Sequence, residues 1–106
     1  MKVPKILLDN EGYPTNEFLD FIRKYRGEIP IKDFLEILRD GWFFQDWGFV
    51  LKRKYKGKKK LELHTGGWSG NEETIREIIA NPYIAIYQMR YIKWVAGGHY
   101  YFEIKY

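Results

Sequence analysis

The sequence predicts an α+β fold: a helical hairpin followed by ββαββ, with the helices packed on one face of an antiparallel sheet. Three observations predict it. Apolar residues recur at helical spacing up to Gly41. From Trp42 the period changes to alternation. Glycine-rich turns then separate the alternating segments in hairpin order. The 106 residues read as a single domain, with a lead-in (1–14), two helices (15–41) and the ββαββ unit (42–106).

The lead-in is rich in turn formers, Asp9-Asn10-Glu11-Gly12 and Tyr13-Pro14-Thr15-Asn16. Thr15 or Asn16 caps the first helix, which runs to about Arg26. Its apolar stripe is Phe18, Leu19, Ile22 and Tyr25. Gly27 suits the residue past a helix end, where φ is often positive. Pro30 opens the second helix, Ile31, Phe34, Leu35 and Leu38 form its apolar face, and Gly41 ends it.

Trp47, Phe49 and Leu51 alternate with Gly48, Val50 and Lys52, as in a strand. Lys56-Gly57-Lys58 is the expected turn. Pairing Leu51 with Leu61 and Phe49 with Leu63 keeps apolar side chains together and is the preferred register. After the Thr65–Asn71 loop a third helix spans about Glu72 to Ala80, with Ile75, Ile78 and Ile79 as its stripe. Ser69-x-x-Glu72 matches a capping box, Asn71 competes as the cap, and Asn81-Pro82 stops the helix. Tyr83 to Val95 reads as a long strand, turned at Ala96-Gly97-Gly98 and returned by His99 to Tyr106. A three-residue turn pairs Trp94 with Tyr100 and Ile92 with Phe102 on one face. It pairs Lys93 with Tyr101 and Tyr91 with Glu103 on the other.

Composition removes several functions. With no cysteine, disulfides, thiolate nucleophiles and Cys-ligated metals are excluded. Met1-Lys2 followed by Val-Pro-Lys-Ile-Leu-Leu is too short and interrupted for a signal peptide. No apolar run approaches the roughly 20 residues of a membrane span. The chain is net +4, yet Lys52, Arg53, Lys54, Lys56, Lys58, Lys59 and Lys60 alone supply +7, so the remainder is negative. A basic chain is no acidic DNA mimic. The segment Ile31–Asp40 has too few cations against its carboxylates to be a recognition helix.

Three features can carry a function. Gly66, Gly67, Trp68, Ser69 and Asn71 form a glycine loop between a strand and a helix, where backbone N–H groups favour an anion and an indole can stack on a base. The spacing is neither a P-loop nor a dinucleotide fingerprint. Its plain alternative is a tight turn with a helix cap. The lysine hairpin can follow a phosphate backbone, or it can simply keep an edge hairpin unpaired. His64 and His99 end one strand and begin another. If those ends meet, both face the loop and acid–base chemistry on a phosphoester becomes conceivable. Two histidines without an obvious carboxylate cluster make a weak metal site. Tyr91, Lys93 and Tyr101 add a face suited to a protein partner. Neither cofactor nor metal is expected, and exposed tyrosines on long strands leave a homodimer open.

The blocks Leu61–Glu73 (Leu-Glu-Leu-His-Thr-Gly-Gly-Trp-Ser-Gly-Asn-Glu-Glu) and Gly97–Ile104 (Gly-Gly-His-Tyr-Tyr-Phe-Glu-Ile) resemble small uncharacterised proteins encoded by bacteriophages and prophages. The likeness covers roughly Trp47 to Ile104. It implies a bacterial host cytoplasm and an accessory role, but no catalytic residue. The expected function is therefore non-enzymatic: counter-defence by binding a host protein or a ribonucleoprotein such as a CRISPR effector. The alternatives are a sponge for a nucleotide-type signal at the glycine loop and a small phosphoester-cleaving enzyme using His64 and His99.

Overall fold

Two hairpins meet in the middle of one sheet. In the computed structural model, which describes residues 2–53 and 59–105, the strands are β1 (Phe49–Arg53), β2 (Lys59–His64), β3 (Met89–Val95) and β4 (His99–Ile104). They lie in the order β1-β2-β4-β3, every pair antiparallel. The first hairpin has the predicted register, Leu51 opposite Leu61 and Phe49 opposite Leu63. Its expected turn at Lys56-Gly57-Lys58, and with it Lys54, falls outside the described residues.

The helices are α1 (Asn16–Lys24), α2 (Ile31–Asp40), a short α3 (Gln45–Gly48) and α4 (Ser69–Ala80). Thr15 caps α1 by accepting from Phe18 N–H, and Gly27 has a φ of 87° in the connection to α2. Phe18, Phe21 and Ile22 of α1 join Phe34, Leu35 and Leu38 of α2, Ile75 and Ile78 of α4, and Leu61, Leu63, Phe102 and Ile104 of the sheet in one core. Among the described residues, the sheet side chains that join this core all lie on one face. Among the described residues no helix is long and apolar enough to cross a membrane.

Four sequence expectations are corrected. Trp47 and Gly48 belong to α3, not to a strand, because Phe44 adopts a left-handed φ of 68° and its carbonyl accepts from both their N–H groups. α4 begins at Ser69 rather than Glu72 and no capping box forms; Trp68 is the cap residue and makes no side-chain cap bond. Ile79, placed on the buried stripe of α4, is 40% exposed, and Thr74 is buried instead. The segment after Asn81-Pro82 is not strand throughout. Asn81 Oδ1 accepts from Tyr83 N–H and Ile84 N–H, which starts a π-helical turn at Ile84–Gln88.

The last hairpin has the three-residue turn, and Trp94 pairs with Tyr100 and Lys93 with Tyr101 as expected. Beyond them a bulge between Tyr91 and Lys93 shifts the register, so that Tyr91 pairs with Phe102 and Arg90 with Glu103. The physical reason is visible in what each register buries. Without the extra residue, Arg90 would turn toward the core and Met89 away from it. With it, Met89 is buried opposite Ile104 and Arg90 is exposed.

Candidate functional site on the open sheet face

Side chains alternate across a strand. Since Leu61 and Leu63 face the helices, Glu62 and His64 face the other way, and β2–β4 pairing sets Glu62 opposite Tyr101 and His64 opposite His99. The two imidazoles meet, Nδ1 to Nδ1, at 2.7 Å. Only one of these nitrogens can carry the hydrogen between them. His64 Nε2 lies 3.4 Å from Glu62 Oε1. The arrangement that satisfies every partner has His64 Nε2–H directed at Glu62 and His99 Nδ1–H donating to His64 Nδ1. His99 Nε2 is then left as an acceptor.

Glu62 is a nearly buried carboxylate, 9% exposed, in a ring of cations. Lys52 Nζ is 3.2 Å from it and Lys60 Nζ 3.7 Å. Burial raises its pKa, but hydrogen bonding and charge from Lys52, then Lys60 and His64, outweigh that and hold it below its ordinary value. Tyr101 is the aromatic centre of the face. Lys60 Nζ and Lys93 Nζ lie 4.9 and 5.0 Å from its ring centroid, within cation–π range.

The face is held from behind. Thr65 N–H donates to Gly98 carbonyl, Thr65 Oγ1 donates to Glu72 Oε1, and Tyr100 OH donates to Glu72 Oε2. Burial, followed by the Glu72 charge, pushes the Tyr100 phenol up. These bonds tie the end of β2 to the start of β4 and so fix the spacing of His64 and His99. Gly98 is required there: its φ is 80°, and a Cβ would collide with Thr65 Oγ1.

The glycine loop occupies a different place. Gly66 and Gly67 have φ of 63° and 75° and turn the chain into α4. Trp68 is packed against Tyr13 and Phe43, with ring centroids at 4.6 and 5.0 Å, and its Nε1–H donates to Gly12 carbonyl. Asn71 is 1% exposed, and its amide donates to the carbonyls of Phe43 and Thr65 and accepts from Phe43 N–H. Ser69 is exposed, its Oγ 3.5 Å from Tyr13 OH. Among the described residues no hydrogen bond or ring contact joins Trp68, Ser69 or Asn71 to either histidine.

No family model, curated protein or solved structure matches the chain.

Of the residues singled out from sequence, the fold brings together His64, His99, Lys52, Lys60, Lys93 and Tyr101. Tyr91 does not join them, because the bulge turns it toward Tyr100 and Phe102, at 6.4 and 5.4 Å. Lys59 pairs with Arg53 at the far end of β1 and β2. Lys54, Lys56 and Lys58 lie outside the described residues. Glu62, the residue that links the histidines to the lysines, escaped the sequence reading. Its signal was the alternation Leu61-Glu62-Leu63-His64, which sets a carboxylate and an imidazole on the same face. Among the described residues no group of three or more His, Asp or Glu side chains is placed to hold a metal ion.

Proposed function

We propose that the protein works by binding, and that its open sheet face receives a phosphate-bearing partner, a nucleic acid or ribonucleoprotein. The observation that carries this reading is the grouping of Lys52, Lys60 and Lys93 around Tyr101 and the imidazole pair. An open antiparallel sheet with cations flanking an aromatic ring offers both phosphate attraction and a stacking surface. The resemblance of the Leu61–Glu73 and Gly97–Ile104 blocks to phage proteins supports a counter-defence setting, in which the partner is a host nucleoprotein such as a CRISPR effector. The test is affinity for a single-stranded RNA as salt is varied. Three phosphate contacts at a slope of roughly −0.7 each predict about an 18-fold loss between 50 and 200 mM salt. Lys60→Ala and Lys93→Ala should each lower the slope; a flat salt response would end this reading.

The contact between His64 and His99 favours a second reading, a phosphoester-cleaving enzyme. Glu62 orients His64, His64 accepts from His99, and His99 Nε2 can take a proton from an attacking hydroxyl or water. Turnover of a chromogenic phosphodiester, lost in His99→Gln and reduced in Glu62→Gln, is the expected result. Intact recovery of substrate rules it out.

A further inference from the structure

We propose that the groove between α2 and the outer edge of β1 takes up an extended, acidic segment of a partner protein as an added strand. The sheet order puts β1 at one end, and among the described residues no strand lies beyond it. An edge strand directs backbone N–H and C=O groups outward, and the group that satisfies a row of them is another extended chain. A groove of about 490 Å³ runs along this edge. Lys32, Leu35, Glu36 and Arg39 form its α2 wall, at the three- and four-residue spacing that lines one side of a helix. Phe49, Val50 and Leu51 form the β1 wall.

The floor is apolar and partly open. Leu35 and Phe49 belong to the core, while Leu51 beside them is 45% exposed. A docked strand points every second side chain down, so one apolar residue of the segment covers Leu51 and its neighbours reach the rim. The rim selects charge. Lys32 and Arg39 stand at the two ends of the α2 wall and make no ion pair among the described residues. β1 itself runs into the basic stretch Lys52–Lys60. Glu36 and Asp46 are the acidic groups of the lining, fewer than the cations around them. Carboxylates on the segment therefore gain at both ends of the groove, and lysines would be repelled.

The test uses the whole chain, labelled for amide NMR, and a capped peptide of alternating valine and aspartate. Saturable shifts confined to Phe49–Arg53 and the α2 wall are expected, with a Kd of about 1 mM or tighter. The doubly substituted Lys32→Glu, Arg39→Glu chain, whose other amides should not move, should bind at least about tenfold more weakly. A peptide N-methylated at every residue should not bind, since neither of its edges can form the ladder. Equal binding by the methylated peptide or by the doubly substituted chain would overturn the proposal. So would shifts on the open face instead, or no shift at several times that concentration. Changes at the same β1 amides that depend on protein concentration alone would make a second copy of the chain the occupant, and would overturn it too.

Discussion

Glu62 shows how one side chain can be costly to bury and still be held. Its carboxylate keeps its charge because Lys52, Lys60 and His64 surround it. Its folded pKa lies below its unfolded one. The stability it contributes is therefore present above the ordinary carboxylate value and lost as pH falls through the folded value. Urea titrations of the protein and Glu62→Gln should show a stability gap at neutral pH that closes on acidification; a gap constant from pH 7 to pH 3 would refute this. Tyr25 behaves in the opposite sense. It is buried, its OH donates to Ile29 carbonyl at 2.7 Å, and burial, then Tyr83, pushes it up to about 12. The neutral form is favoured in the fold, so stability is full below about pH 10 and declines as pH rises toward 12. Tyr25→Phe should cost about 1 kcal/mol at neutral pH and flatten that alkaline decline. At this scale the sequence was partly legible. Alternation puts Glu62 and His64 on one face, but that His64 meets His99, 35 residues away, depends on β2 lying beside β4, which no local pattern encodes.

Elements were legible where their end signals were simple. Thr15 before α1, Gly41 after α2 and the apolar pairs of the first hairpin all act locally. They failed where a residue serves two elements. Asn81-Pro82 reads as a stop, and it is one, yet the same Asn81 begins the next turn. Its amide nitrogen also donates to carbonyls of Ile22 and Tyr25 at the end of α1, at 2.8 and 3.0 Å. Arg23 reinforces this join with a forked pair of bonds to Glu77, 3.0 Å each. Because Asn81 is 2% exposed, removing its amide strands several backbone groups away from water. Asn81→Ala should cost about 3 kcal/mol, read as a lower urea midpoint with unchanged slope. A cost near zero would mean these bonds are replaced by water. The bulge in β3 escaped for a different reason. Period-two reasoning carries each strand forward without slips, and only the need to bury Met89 and expose Arg90 reveals the extra residue.

Across the whole molecule, the sheet divides labour between its faces. One face builds the core with the helices, and the other gathers cations around Glu62 and Tyr101. This separation predicts that single lysines of the open face can be altered with little effect on folding. Lys60→Ala and Lys93→Ala, the variants expected to weaken RNA binding, should each change unfolding free energy by no more than about 0.5 kcal/mol. A large loss of stability would show that the cations hold the sheet rather than await a partner. The fold class was visible in the sequence because helical spacing gives way to alternation after Gly41 and returns for one helix between two hairpins. The meeting of the two hairpins through β2 and β4 was not, since hairpin order is compatible with several sheet orders.

The bulge has a consequence for assembly. Ile92, Trp94 and Val95 on β3 are 40%, 54% and 42% exposed, a composition that invites strand-to-strand growth. The register break beside Ile92 interrupts the regular ladder that an incoming strand would need there. β1 pairs with β2 in unbroken register and offers its outer edge intact. The sheet thus has one receptive end and one blunted end. A fibre needs both ends to accept a neighbour, whereas two copies joined receptive end to receptive end leave only blunted ends outside. Were copies of the chain to pair at their edges, growth would stop at two.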